Sequence, residues 1–249
     1  MEIINIRGVN FCNVTLAEAA DWAADTLTSS PDTPRAVFTP NSEIVQLCIE
    51  ENEYYALINS ADLIIPDGIG VIKASRILGT PLKEKVAGIE LGEQVLRIAA
   101  EQGYSVYFLG AKPGVAEQAA QKMQEKYPAL TVAGIHDGYF KKEGEENEAV
   151  LAEIRAAAPD VLYVCLGVPA QEKWIDANRT ALGSVKLCLA LGGSLDVWAG
   201  NVKRAPKLFI RLGLEWFYRL CCEPKRIGRM MKLPKFLFGT YAEKWRGRK

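Results

Sequence analysis

Six apolar runs punctuate the chain, and each gives way to glycine, proline or small polar residues before a longer amphipathic segment begins. The runs are 36–38, 63–65, 106–109, 130–133, 161–166 and 185–191. Continuous Val, Leu and Ile content, without strict alternation, is the pattern of strands buried on both faces. The segments between them have apolar positions at helical spacing and predict helices over 15–28, 42–58, 69–78, 89–102, 115–126, 145–157 and 171–181. Strands alternating with helices of that length predict an α/β fold, a mostly parallel sheet of right-handed βαβ units flanked by helices. The opening segments 3–6 and 9–14 predict a small hairpin at the edge.

The pattern changes near Asn201. A helix-like stretch over 208–222, a basic helix over 227–232 and a closing stretch to Lys249 interleave Trp216, Phe217, Tyr218, Phe236, Phe238, Tyr241 and Trp245 with cations. The division expected is a catalytic domain over 1–200 and a basic amphipathic appendage over 201–249. Aromatic rings and basic heads together suit the headgroup region of a membrane. An ordinary helical subdomain packed on the core by those aromatics fits the same composition.

Charge sharpens this. The chain of 249 residues is neutral overall, with 30 basic and 30 acidic residues, but residues 202–249 hold 14 Lys or Arg against 3 acids. An excess of that size points the tail toward an anionic partner: a phosphorylated ligand, a membrane surface or nucleic acid. No base-stacking or groove-reading motif accompanies it, so nucleic acid is not the expected partner. The six cysteines, at 12, 48, 165, 188, 221 and 222, form no Cys-x-x-Cys pair and read as reduced and structural. With no signal-peptide pattern in Met1–Arg7 and no run of 18 apolar residues, the expected location is cytoplasmic, with peripheral membrane contact at most. Without a membrane, so much aromatic surface has a second copy of the chain as its alternative partner, making a homo-oligomer the matching expectation.

In a parallel sheet the loops after the strands share one edge, where open α/β sheets bind ligands. The strand 63–65 ends in Pro66-Asp67-Gly68, which presents a carboxylate at that edge; capping of the following helix is the competing role for Asp67. Gly110 to Gly114, between a strand and a helix, reads equally as an anion cradle and as a bare tight turn. Gly68-x-Gly70 lacks the third glycine of a dinucleotide fingerprint. His136 is the single histidine, and neither a Walker-type lysine motif nor an Asp-x-Asp pair occurs, so no metal site and no cofactor are expected. A bound diphosphate would then be met by N–H groups, Lys and Arg.

The segments 39–41, 65–70, 85–88, 108–114, 138–140, 167–174, 192–196, 204–206, 213–219 and 223–226 together resemble the WecG/TagA/CpsF glycosyltransferase family, in order, from about residue 5 to 245. The resemblance implies a Rossmann-like domain with a membrane-engaging C-terminal appendage. It also implies inverting, metal-independent transfer from a UDP-sugar donor to a polyprenyl-diphosphate-linked sugar acceptor, at the inner face of the cell membrane. In the TagA branch of teichoic acid synthesis the donor is UDP-N-acetylmannosamine and the acceptor N-acetylglucosaminyl-diphospho-undecaprenol; a uronate or hexose donor, as in other branches, is the alternative. Asp67 matches the family's proposed general base. Thr39, Asn41 and Gln171 match polar substrate-binding residues, and Arg219, Arg226 and Arg229 match appendage residues that meet the diphosphates. Lys85 stands where many relatives have Arg, and lysine lacks the bidentate fork. Gly110, Gly114, Gly138, Tyr139 and Gly167, on the other strand mouths, are assigned to the nucleotide and its phosphates.

Overall fold

The computed structural model describes residues 1–222, 228 and 232–246, with the side chains of 207, 211, 219 and 222 excluded. The chain opens with a hairpin of β1 (Ile3–Ile6) and β2 (Val9–Cys12). Arg7 and Gly8, both at positive φ, form its two-residue turn, the backbone that matches the twist of paired strands. Then follow α1 (Leu16–Ser29), β3 (Arg35–Phe38), α2 (Ser42–Glu50), α3 (Asn52–Asn59), β4 (Leu63–Ile64), α4 (Ile69–Leu78), α5 (Gly88–Gln102), β5 (Ser105–Gly110) and α6 (Val115–Lys126). Next come β6 (Thr131–His136), α7 (Gly144–Ala157), β7 (Val161–Cys165), α8 (Ala170–Asn178), β8 (Leu187–Ala190) and α9 (Ser194–Trp198). The basic segment supplies α10 (Lys207–Arg211), α11 (Glu215–Cys222) and α12 (Lys232–Arg246).

Strands β3 to β8 form one parallel sheet in the order β4-β3-β8-β7-β5-β6. Successive strand residues alternate between two cores. Val37, Phe108, Tyr163 and Leu189 face one, closed by α1, α5, α6 and α9; Phe38, Leu109, Val164 and Ala190 face the other, closed by the hairpin and by α2, α3, α4, α7 and α8. The expected mostly parallel, Rossmann-like sheet is present and is parallel throughout, and the expected hairpin pairs as its own two-stranded sheet.

Two expected helices are each interrupted. The span 42–58 divides where Glu51 takes extended backbone, and the turn lets Tyr54 and Ile58 of α3 enter the core. The span 208–222 divides at Gly213, whose φ of +69° and near contact with Ile69 bring the chain back onto α4. Helix α12 packs on α2 and α4. Phe236 and Thr240, one turn apart, are fully buried there, whereas Phe238 and Trp245 on the other side are 76% and 77% exposed. Arg7 clasps the helix, donating to the Phe236 carbonyl at 3.1 Å and pairing with Glu243 at 3.2 Å. Of the tail aromatics, Phe236 packs into the core, while Phe217, Phe238, Tyr241 and Trp245 are exposed. Among the described residues no helix is long and apolar enough to cross a membrane.

Candidate active site

A cavity of about 340 Å³ opens where the mouths of β3 and β4 meet the basic C-terminal segment. Its floor is polar, with Asn41 and Glu43 at the start of α2, Asp67 after β4, Lys73 on α4, and Lys85. Its opposite wall comes from Ile210, Leu212, Glu215, Trp216 and Leu233. A concave site with apolar lining and a few converging charges is the usual form of a ligand pocket.

Local backbone chemistry places the charges. Gly68, at φ +92°, turns the chain into α4 and caps it without a side-chain bond, so Asp67 does not cap the helix that follows it. Its carboxylate turns instead to the first residue of α5, accepting from the Gly88 N–H at 3.4 Å. A helix N-terminus is a favourable neighbour for a carboxylate. The Val86 N–H donates to the Pro66 carbonyl at 3.0 Å, a bond that ties the 82–88 segment alongside Asp67 and brings Lys85 to the same cavity. There Lys85 pairs with Glu215 of α11 at 3.4 Å, both side chains being about one-fifth exposed, at 21% and 22%.

The other expected site residues are placed differently. Asn41 lines the cavity but also caps α2, accepting from the N–H groups of Glu43 and Ile44, so its amide NH₂ is the group left for a ligand. Thr39 is buried, and its hydroxyl donates to the Ala190 carbonyl. Gln171 is buried too, with its carbonyl accepting from Gly192 N–H and its amide donating to Glu172, both at 2.8 Å. Those two support the floor and the β8 mouth from behind. Arg219 belongs to α11, with its side chain outside the described atoms, and Arg226 and Arg229 lie outside the described residues.

Gly110, Gly114, Gly138, Tyr139 and Gly167 occupy the opposite half of the sheet edge, at the mouths of β5, β6 and β7. The chain leaves β5 outward to β6 and leaves β7 inward to β8, so the crevice between β5 and β7 is the switch point at which such sheets hold ligands. Packing explains two of these glycines. A Cβ on Gly110 would meet the Cys165 carbonyl oxygen at 2.3 Å, and one on Gly138 the Ala111 carbonyl oxygen at 3.1 Å. Gly114 and Gly167 are at positive φ with nothing within 4 Å, so they leave the crevice open. Tyr139 is exposed. His136 ends β6 with its ring against Phe140 and Nδ1 on the Asp137 carbonyl, a turn residue.

Sequence reasoning missed Lys73, Glu43, Glu215 and the apolar wall, as well as Glu172. Glu172 is 1% exposed, and its partners are the Gln171 amide and the Tyr54 hydroxyl at 3.2 Å, with no cation among the described residues. Burial pushes its carboxyl above the ordinary glutamate range. The folded chain therefore holds this proton more tightly than the unfolded chain, and stability declines as pH rises from near the ordinary value of 4.5 through the raised one. Glu172→Gln is expected to flatten that part of a melting-temperature profile against pH; an unchanged slope assigns it to other groups. Among the described residues, no three His, Cys, Asp or Glu side chains are grouped to hold a metal ion.

The family model described as "Glycosyl transferase WecG/TagA/CpsF family" matches residues 4–249. Among curated proteins, the N-acetylglucosaminyldiphosphoundecaprenol N-acetyl-beta-D-mannosaminyltransferases of Staphylococcus aureus strains MRSA252 and NCTC 8325 are each 37% identical to the chain over 235 residues. The similarity covers 94% of this chain and 91% of each relative.

Proposed function

Since the chain belongs to the WecG/TagA/CpsF glycosyltransferase family, we propose that it moves N-acetylmannosamine from UDP-N-acetylmannosamine to N-acetylglucosaminyl-diphospho-undecaprenol. The observation that carries this reading is the cavity that brings Asp67 and Lys85 together, beneath a wall contributed by the basic segment. In a single displacement the acceptor hydroxyl gives its proton to the Asp67 carboxylate as its oxygen bonds to the anomeric carbon. The bond from that carbon to the donor phosphate breaks on the opposite face, its electron pair leaves with UDP, and the configuration inverts. Lys85 and Lys73 supply positive charge for the diphosphates, the electrostatic part of the barrier lowering. Asn41 offers its amide to a sugar hydroxyl or acetamido group. The open crevice beside Gly114 and Gly167 is assigned to the nucleotide.

Purified protein given an N-acetylglucosaminyl-diphospho-lipid and a panel of UDP-sugars is expected to release UDP and form the lipid-linked disaccharide with N-acetylmannosamine alone. A donor panel in which another sugar is transferred and N-acetylmannosamine is inert overturns the assignment. Lys73 gives a uronate donor one specific point of support, since the cavity holds a second cation beside Lys85. The uronates in the same panel decide that alternative.

The enzyme reaches such an acceptor, in this proposal, by lying on the inner face of the membrane through the exposed side of α12. Phe238, Tyr241 and Trp245 share that side, with Lys244 and Arg246 at its end. Each cation near an anionic leaflet contributes about 1 kcal/mol, within a Debye length of roughly 8–10 Å. Replacing both Phe238 and Trp245 with Ser is expected to raise the lipid needed for half-maximal sedimentation with anionic vesicles about tenfold or more. Unchanged sedimentation would place the membrane contact elsewhere.

A further inference from the structure

Among the described residues, the cavity wall formed by the C-terminal segment is apolar apart from Glu215 where the floor is charged, a division that the transfer chemistry alone does not require. We propose that Leu212, Trp216 and Leu233 seat the isoprenyl units next to the acceptor's diphosphate, so that the segment selects for the hydrocarbon of its substrate. The inference rests on the lipid-acceptor reading above.

Three observations carry it. First, the cavity joins the two chemistries of a diphosphate–prenyl junction: Lys73 and Lys85 stand on the floor with Glu43 and Asp67, while among the described residues the C-terminal wall is aliphatic and aromatic apart from Glu215, itself paired with Lys85. Second, the wall is held close by glycine at two of its contacts with α4. A Cβ on Gly213 would come to 2.8 Å from Ile69, and one on Gly70 to 2.7 Å from Leu233, so larger residues would push the wall away. Third, the apolar surface continues outward. Leu212 is 62% exposed while lining the cavity, and Leu208, one helical turn before it, is 63% exposed. An apolar strip running from a charged pocket into solvent suits a long hydrocarbon whose charged head is held inside.

The test uses the full chain and N-acetylglucosaminyl-diphosphate esters of one, two and three isoprenyl units, without vesicles or detergent. Acceptor kcat/KM is expected to climb about tenfold or more across that series in the unaltered protein. Leu212→Asn and Trp216→Ala should each reduce the climb to about twofold or less, and Trp216→Phe should restore most of it. Leu212 is exposed, so its polar replacement keeps the test valid if Trp216→Ala unfolds. A climb that persists in both polar and truncated variants overturns the proposal. So does a flat series in the unaltered protein that still transfers sugar, an outcome that leaves the glycosyltransferase assignment intact. Transfer to none of the acceptors with any UDP-sugar removes the functional reading and this one with it. If light scattering shows that the variants dissociate an oligomer while the climb persists, the wall is covered by a second copy, not by lipid.

Discussion

Asp67→Asn is expected to lower kcat by a factor of about 10² to 10⁴, roughly 3–5 kcal/mol of barrier, with UDP affinity nearly unchanged. The substitution is informative because Asn keeps the shape of the side chain and a carbonyl oxygen. That oxygen can go on accepting from Gly88 N–H, so the N-terminus of α5 keeps its partner. What disappears is a group able to take a proton from an attacking hydroxyl. Two measurements are required, turnover under saturating substrates and the melting temperature. Lost turnover with an unchanged melting temperature supports the base; retained turnover with a lowered melting temperature reduces Asp67 to a cap of α5.

Gly110→Ala should cost about 3–5 kcal/mol of stability, read as a melting temperature lower by roughly 10 °C or more. Two costs coincide there. The backbone sits at φ +134°, which side chains rarely adopt, and the new Cβ would lie 2.3 Å from the Cys165 carbonyl oxygen and 2.5 Å from its carbon. Backbone cannot rotate away as a side chain can, so β5 and β7 would have to separate at the end of their pairing, where Gly110 faces Cys165. Gly114→Ala, at φ +82° with nothing within 4 Å, is expected to cost only about 1–2 kcal/mol. If the loop also cradles the donor's phosphates, Gly114→Ala raises the donor KM at small cost in stability. A Gly110→Ala protein with an unaltered melting temperature would contradict the packing account.

The two glycines show why the site was only half legible from residue order. A glycine after an apolar strand marks a loop where backbone comes close to something, and the pattern alone does not say whether that is a phosphate or a neighbouring strand. The strands themselves were plain, because burial on both faces demands unbroken apolar runs such as 161–165, now β7. Asp67 was plain for the same reason, since Pro66 and Gly68 punctuate the end of such a run. Glu172 was hidden because an acid between Gln171 and Lys173 looks like the solvated face of a helix, and only Tyr54, far away in sequence, turns it into a core group. The apolar wall was hidden too. Its side chains lie more than a hundred positions beyond Asp67, and the breaks that aim them follow from contact with α4.

The clasp of Arg7 on α12 bears on timing during synthesis. Its bonds join residues 229 and 236 positions apart, so the first turn of the protein waits for almost the whole chain before it finds these partners. At roughly 5–20 residues per second, the sheet and its other helices have seconds to assemble while α12 is still inside or near the ribosome. When the helix emerges, Phe236 has a finished seat between α2 and α4, and Phe238 and Trp245 face outward. The nascent protein therefore orders its sheet and the β3 and β4 mouths before α12 adds Leu233 to the cavity wall and turns Phe238 and Trp245 outward.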